Sequence, residues 1–444
     1  MNKILLAIIL CIATFFIASL GFNTQHSTLI ALIVFLVTMW TNEALPLGVV
    51  SLLPIILFPS FDILSTNETA SNYSKSIIFL FIGGFLIAIA TQKTNLHKYI
   101  SNKLLSLFSN TPRGVIYSLS ITSAFLSSLI SNTTTALLLI PIAIFLTDNT
   151  KLKVRLVLAV AYGASIGGIL TPIGTPPNLI LLGFMEDRAI ESISFVNWMI
   201  LTAPLAFIML VIIPFVLSIG VSSISFDNQL SSEEKLNGEQ KRLLYILGSL
   251  VLLLLVNSKI EPFYSGLGLN EKAILLGYGL LMFVPKIGFI TWDDSKKVPY
   301  EIIFLFGAGF SIASAFSQTG LANVIASNIL QLATLPTILL ILLVAILITF
   351  TTEITSNTAL ISIALPIIYS LGQVANIDTI IILFVATICA SYAFMLPIAT
   401  PPNAIAMSSG SVKVKDMIKF GLLFNIIGVL SITFVALVYW QNYL

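Results

Sequence analysis

The sequence predicts an all-α polytopic membrane protein with about eleven transmembrane helices and two re-entrant hairpins, arranged in two inverted repeats. Three observations lead to this fold class. Of the 444 residues, 57% are hydrophobic and only 9% are charged, whereas a soluble domain carries about a quarter charged residues. Short motifs recur at a constant offset. Two apolar segments are too long for one membrane helix and too short for two.

The recurring motifs indicate two copies of one structural unit, because all of them keep the same offset of 225 residues. In both copies, polar and helix-breaking residues interrupt strongly apolar sequence, a combination typical of the binding sites of secondary transporters. The motif pairs are Ser-Asn-Thr at 131–133 and 356–358, Thr-Pro-Pro-Asn at 175–178 and 400–403, and Ile-Ile-Phe-Leu-Phe at 77–81 and 302–306.

The apolar segments predict the transmembrane spans, since a helix needs roughly 20 apolar residues to cross a bilayer. The first apolar run follows Lys3, and we interpret it as a transmembrane helix rather than a cleaved signal because many further spans follow. The predicted spans lie at 4–20, 28–40, 44–59, 77–92, 154–183, 197–220, 243–257, 272–285, 301–318, 376–407 and 419–440.

Segments 114–147 and 339–371 do not fit as single spans. Each carries a Ser-Asn-Thr triplet near its middle, and two half-length arms that meet at a polar tip fit both segments best. Backbone is irregular at membrane depth only where protein or a water-filled cavity covers it. We therefore predict two re-entrant hairpins whose tips line a cavity.

The basic residues predict the orientation in the cell membrane. When the loops are assigned in turn to the two sides, seventeen lysines and arginines fall on one side and four on the other. The first side is then cytoplasmic, with the N-terminus inside and the C-terminus outside. The first hairpin enters from the cytoplasm and the second from outside, so the repeats are inverted.

The hairpin tips offer hydroxyl and amide groups without a charge, beside helix N-termini whose free N–H groups and dipole attract anions. Two tips that approach from opposite faces fit the two ends of a dianion. A plain helix cap is the structural alternative for such a triplet. Lysine and arginine occur in the predicted spans only at their ends, as Arg155, Lys272 and Lys419, so dipoles, uncharged groups and bound cations are expected to hold the anion.

Prolines break one span in each repeat, at 171–178 and 396–403. Proline frees carbonyl groups one turn back, and freed carbonyls at the bilayer midplane can coordinate Na⁺. Gly174 and Ala399 are small enough to let such an ion approach the backbone. Carboxylates are few in the apolar sequence. Glu353, on an arm of the second hairpin, is a candidate for a functional role or for a structural hydrogen bond that ties the arm down. Glu43 lies between two apolar segments, and we place it at an interface near the turn.

The composition argues against several other classes of protein. The net charge of +2 is small and no basic stripe is present, so we predict no nucleic-acid partner. Two cysteines and two histidines suggest neither a disulfide framework nor a zinc enzyme. The sequence has no metal-ligand spacing and no phosphate-binding loop, and its Gly-Ala-Ser-Ile-Gly string at 163–167 lies within a predicted span rather than at the strand-to-helix turn of a nucleophile elbow. We therefore predict neither an enzyme nor an ATP-driven pump. An anion channel remains the alternative, although a channel predicts a continuous polar pore.

These motifs resemble those of a known family, the divalent-anion/sodium symporters, which include the INDY-like dicarboxylate transporters. The resemblance covers nearly the whole chain, and the paired Ser-Asn-Thr and Thr-Pro-Pro-Asn motifs are its most specific part. Other matching segments are Asn-Leu-His-Lys at 95–98, Ala-Tyr-Gly-Ala-Ser-Ile-Gly-Gly at 161–168, Thr-Glu at 352–353 and Ala-Phe-Met-Leu-Pro at 393–397.

The resemblance implies a homodimer in the lipid bilayer, with a fixed scaffold and a transport domain that moves as an elevator. The scaffold would comprise 1–112 and 243–318, the transport domain 113–225 and 319–444, and the cytoplasmic linker 226–242. The implied substrate-binding residues are Ser131, Asn132, Thr133, Ser356, Asn357, Thr358, Thr175, Pro176, Thr400 and Pro401. The implied Na⁺ sites are Ser127, Ser131, Asn132 and Gly174, and Thr352, Thr355, Asn357 and Ala399.

The sequence leaves the coupling mode open. Some members of the family import dicarboxylates with Na⁺, and others exchange one dicarboxylate for another. Because many coordinating atoms would be backbone carbonyls, which any sequence supplies, the residues are compatible with both modes. Succinate, malate, fumarate and 2-oxoglutarate all fit as substrates, with citrate and sulfate as alternatives.

Overall fold

A computed structural model describes residues 2–42, 44–106, 108, 111–221, 235–258, 264–328, 335–375 and 377–443. This part of the chain is almost entirely helical, which confirms the predicted fold class. In chain order the helices are α1 (Asn2–Ala18), α2 (Thr24–Thr41), α3 (Leu47–Leu52), α4 (Pro54–Ser60), α5 (Thr66–Ser71), α6 (Ser76–Lys93), α7 (Leu96–Leu105), α8 (Pro112–Ser127), α9 (Asn132–Phe145), α10 (Thr150–Ile169), α11 (Pro176–Asp187), α12 (Phe195–Ser218), α13 (Gly238–Asn257), α14 (Glu271–Leu281), α15 (Tyr300–Thr319), α16 (Leu321–Asn328), α17 (Thr337–Thr352), α18 (Asn357–Ala375), α19 (Thr379–Cys389), α20 (Pro401–Ser408) and α21 (Val414–Val438).

The series of helices from α6 to α12 recurs in the same order as α15 to α21. Four helix pairs begin 225 residues apart, namely α7 and α16, α8 and α17, α9 and α18, and α11 and α20. The structural repeat therefore follows the motif repeat. The inverted orientation of the two series across the membrane stays a prediction.

The described chain contains seven helices long and apolar enough to span a membrane, together with several shorter apolar helices. The predicted span 44–59 consists of two short helices, α3 and α4, because Pro54 lacks the N–H that would continue the helix. The predicted spans 154–183 and 376–407 are each interrupted in the middle, at the two proline motifs.

Both predicted hairpins form pairs of helices joined by a short turn. The arms have 16 and 14 residues in α8 and α9, and 16 and 19 residues in α17 and α18. A helix of 14 residues is about 21 Å long and one of 19 residues about 28 Å, compared with a hydrocarbon core of about 30 Å. The prediction of half-length arms is therefore wrong for α18, which continues through Pro366.

The first hairpin packs directly against α10. A Cβ atom at Gly163 or Gly167 of α10 would overlap the carbonyl oxygens of Ser120 and Ala124 in α8. Only glycine allows the two backbones to come this close. This contact holds the hairpin beside the break that follows α10, and it accounts for two glycines of the 161–168 motif.

Ion pairs join the helices at both ends of the bundle. At the end predicted to be cytoplasmic, Lys93 of α6 lies 2.6 Å from Asp294, and this lysine is the main cause that holds the pKa of the Asp294 carboxyl well below its usual range. At the opposite end, Lys75 pairs with Asp187, and Lys272 lies 2.7 Å from Glu186. The second group connects α11 to the N-terminal end of α6 and to α14.

Candidate functional site

The first hairpin tip is held by side chains from both of its arms. Ser131 is the N-cap of α9, and its hydroxyl accepts the N–H of Thr134 at 3.2 Å. The Ser127 hydroxyl, at the end of α8, donates to the Oδ1 atom of Asn132. The serine of the triplet therefore does cap a helix, as the structural alternative proposed. The asparagine is fixed separately by the other arm.

The second tip repeats this arrangement with a different hydroxyl. Oγ1 of Thr352, at the end of α17, lies 2.5 Å from Oδ1 of Asn357 and 3.0 Å from the carbonyl oxygen of Ala390. A hydroxyl has one hydrogen, so it donates to one of these oxygens at a time. Thr352 and Ser127 are equivalent in the repeat, and both are fully buried.

The two helix breaks differ in length. The first separates Ile169, the end of α10, from Pro176, and the second separates Cys389, the end of α19, from Pro401. The first break is anchored to its hairpin by Thr171, whose hydroxyl donates to the Ser128 carbonyl at 2.7 Å.

One asparagine clamps each break, a role that sequence reasoning missed. Nδ2 of Asn178 donates to the carbonyls of Gly168 at 3.1 Å and Thr171 at 2.9 Å. Nδ2 of Asn403 donates to the carbonyls ten and seven residues before it, at 2.9 and 3.1 Å. Carbonyls predicted to be free for a cation are thus partly used within the protein. The final asparagine of both Thr-Pro-Pro-Asn copies was the signal available in the sequence.

Glu353 ties the second hairpin to the longer break. Its carboxylate is buried and accepts the N–H groups of Phe394, Met395 and Leu396 at 2.7 to 2.9 Å. It also accepts Nδ2 of Asn425, in α21, at 2.6 Å. These four donors support the structural interpretation of this carboxylate. Glu43, predicted to lie at an interface, is outside the described residues.

The tips and breaks line one cavity of about 910 Å³. All ten predicted substrate-binding residues contribute to its wall: Ser131, Asn132, Thr133, Ser356, Asn357, Thr358, Thr175, Pro176, Thr400 and Pro401. Of the predicted cation-binding residues, Gly174, Thr355 and Ala399 also line it, while Ser127 and Thr352 are buried behind the tip asparagines. The structure brings these residues together, and their binding roles stay predictions.

The cavity suits an anion although its described wall has no basic side chain. Helices α9, α11, α18 and α20 all begin at this wall, and each N-terminus carries a partial positive charge. Free N–H groups come from α9 and α18, because two prolines without an N–H begin α11 and α20. Glu301 is the only ionisable side chain among the described lining residues. Helix dipoles therefore supply the positive potential that lysine or arginine supplies in many anion sites.

The polar groups at the two tips also fit a small hard cation. Asparagine amide oxygens, hydroxyls and backbone carbonyls are neutral oxygen ligands, which hard cations prefer. Within the part of the chain that is described, no group of three or more histidine, cysteine, aspartate or glutamate side chains could hold a metal ion. The donor set at the tips thus fits Na⁺ better than a transition metal.

Paired hairpins and paired broken helices around one cavity define a membrane transporter of the secondary type, and comparison with known proteins agrees. Residues 33–390 match the family model CitMHS, described as "Citrate transporter". The chain belongs to this family of transporters, which confirms the resemblance to the divalent-anion/sodium symporters.

Individual relatives match along most of their length. The chain is 30% identical to a protein described as the sodium-dependent dicarboxylate transporter SdcS of Staphylococcus saprophyticus, over 92% of this chain and 85% of that protein. It is also 30% identical to the protein of the same name from Staphylococcus aureus, over 92% of this chain and 84% of that protein.

Two solved structures share the fold. The YdaH transporter of Alcanivorax borkumensis matches with a TM-score of 0.60 and 14% identity, over 84% of this chain and 87% of that one. MtrF of Neisseria gonorrhoeae matches with a TM-score of 0.60 and 15% identity, over 84% and 83%. At these identities the similarity concerns the fold alone.

Proposed function

We propose that this protein is a secondary transporter that carries small dicarboxylates across the cell membrane together with Na⁺. One observation carries the proposal: four helix N-termini, in two equivalent pairs, line a cavity whose described wall has no basic side chain. Two equivalent sets of amide and hydroxyl groups match the two carboxylates of a dianion. The relatives described as sodium-dependent dicarboxylate transporters support this substrate class.

Sodium coupling follows from the charge of the cavity. Four N-termini at about half an elementary charge each only balance the two charges of a dianion, so the dipoles leave no surplus positive charge to offset its loss of hydration. Cations bound beside Asn132 and Asn357 would add that charge and fix the tips before the dianion enters. This favours symport over sodium-independent exchange, the two modes that the sequence leaves open.

Transport would follow an elevator-type alternating-access mechanism. In this proposal 113–225 and 319–444 form the moving domain, 1–112 and 243–318 form the scaffold and the homodimer contact, and 226–242 links them. The cavity lies where these two groups of residues meet, because Trp40, Phe81 and Glu301 face the tips across it. Trp40 and Glu301 lie toward the predicted cytoplasmic side, so the cavity would open inward. The substrate crosses the membrane without chemical change.

Uptake of labelled succinate or 2-oxoglutarate into proteoliposomes tests the proposal. Uptake into empty vesicles that requires an inward Na⁺ gradient would support symport. Uptake that requires only internal dicarboxylate would mark an exchanger and contradict the coupling. Unlabelled malate, fumarate, citrate and sulfate, added as competitors, would rank the substrates. Large single-channel currents in planar bilayers would show that the protein is an anion channel and not a carrier.

A further inference from the structure

The asparagine that ends each Thr-Pro-Pro-Asn motif lies behind the cavity wall, fully buried, in neither the substrate set nor the cation set. We infer that Asn178 and Asn403 are positioning residues, each of which fixes a helix break against its hairpin tip and thereby sets the affinity of the Na⁺ site beside it. The inference rests on the proposed sodium coupling and goes beyond it by assigning the residues that shape the two sites.

In the first repeat, Asn178 holds a backbone segment that touches the tip. Its amide donates to the carbonyls of Gly168 and Thr171, so it joins the first turn of α11 to the end of α10. Gly168 lies directly against Asn132, since a Cβ atom there would be 2.9 Å from Oδ1 and 3.0 Å from Nδ2 of that side chain. Movement of the Gly168 carbonyl would therefore move the tip amide.

The same clamp reaches the small residue of the predicted cation site. The Thr171 carbonyl that Asn178 holds also accepts the N–H of Gly174, at 3.2 Å. In the second repeat, the Leu396 carbonyl accepts Nδ2 of Asn403 at 3.1 Å and the N–H of Ala399 at 3.2 Å. In both repeats one carbonyl thus connects the asparagine to the peptide unit expected to face the ion.

Two features argue that folding alone does not explain these asparagines. In both repeats the asparagine amide donates to the carbonyls ten and seven residues before it, although the two breaks differ in length. These hydrogen bonds are therefore set by the geometry of the site and not by the length of the loop. In addition, the Oδ1 atoms of both Asn178 and Asn403 are buried without a hydrogen-bond partner in the described chain. An unpaired buried acceptor is destabilising. Because Asn425 also has an unpaired buried Oδ1, the equal spacing in the two breaks is the stronger of the two features.

Thermal unfolding of the purified protein in detergent, at increasing Na⁺ and constant ionic strength, tests the inference. We expect Asn178→Ala and Asn403→Ala each to raise the Na⁺ concentration for half-maximal stabilisation about tenfold or more, as for residues that orient the ligands of an ion. Asn257→Ala is the matched control, since Asn257 is buried and clamps Leu269 with both ends of its amide, at 2.8 and 3.0 Å. It should lower the melting temperature and leave the Na⁺ midpoint unchanged.

The outcomes separate the inference from the proposed function. Folded Asn178 and Asn403 variants with lower melting temperatures but a wild-type Na⁺ midpoint would show that these residues are merely structural. A wild-type protein that Na⁺ does not stabilise at all would overturn the sodium coupling and the inference with it. If the alanine variants do not fold, Asn178→Ser and Asn403→Ser, which keep one donor, replace them and should give a smaller shift in the same direction.

Discussion

The two repeats build the same site with different supports. At each tip, a hydroxyl from the first arm bonds the asparagine of the second arm, and at each break an asparagine holds two backbone carbonyls. Serine in one repeat and threonine in the other serve equally, because only the hydroxyl is used. The cavity-facing residues and the hydrogen bonds directly behind them are therefore kept in both repeats.

The largest difference lies where each break meets its hairpin. In the first repeat, α10 continues to Ile169, and the Thr171 hydroxyl bonds the Ser128 carbonyl. In the second, α19 ends earlier relative to the motif, and three N–H groups that a helix would have used donate to Glu353. Ser128 and Glu353 occupy equivalent positions. The Glu353 carboxylate thus accepts the backbone N–H groups that are left without a helical partner because α19 ends early.

The strongest test of the shared part is to remove each tip amide. Asn132→Ala and Asn357→Ala should each lower dicarboxylate uptake about 10- to 150-fold, because a hydrogen bond to a charged group is worth about 1.5–3 kcal/mol. Both variants should fold, since the tips line a cavity. Uptake into proteoliposomes and the elution volume of the purified variants check this. Near-normal uptake in both variants would refute the assignment of the tips.

The comparison of Glu353 with Ser128 predicts a large loss of stability in one repeat only. Glu353→Ala should destabilise the protein by about 3–5 kcal/mol, because it leaves three backbone N–H groups and the Asn425 amide without their acceptor. Ser128→Ala loses only a hydroxyl bond to the Phe125 carbonyl and should cost about 1 kcal/mol. Unfolding in a denaturing detergent measures both. Equal losses of unfolding free energy in the two variants would contradict the view that only the second repeat depends on a buried carboxylate at this position.

Much of this architecture could be predicted from the sequence, because it depends on local rules. Apolar length predicts the spans and proline predicts the breaks. The recurring Ser-Asn-Thr and Thr-Pro-Pro-Asn motifs contain the ten residues that the structure places around one cavity. The hydrogen bonds behind the cavity could not be predicted. Glu353 and Asn425 are 72 residues apart and meet only through packing.

A smaller effect is expected from a methyl group placed behind the first tip. Gly168→Ala should lower the apparent affinity for substrate about tenfold, because the new Cβ atom would displace the Asn132 side chain. The reciprocal change, Ala393→Gly, should have little effect, since the second repeat already accommodates a methyl group at the equivalent position. The dependence of uptake on substrate concentration measures both variants. A lower maximal rate with unchanged affinity in Gly168→Ala would contradict contact with the tip.

The smallest effect should come from the charged end of the first repeat. Lys75 pairs with Asp187 and Lys272 with Glu186, whereas the equivalent positions, 225 residues away in the other repeat, are uncharged: Tyr300, Val412, Leu47 and Ser411. In the elevator proposal these pairs join the scaffold to the transport domain on the side away from the open cavity, so each transport cycle must break them.

Partly exposed ion pairs are worth about 0–1 kcal/mol each. Asp187→Asn should therefore change the uptake rate less than about fivefold, and Lys296→Met, which removes an exposed pair within the scaffold, should not change it. If Asp187→Asn abolished uptake, these charged residues would belong to the transport path itself. The two repeats would then differ in function at these positions and not only in charge.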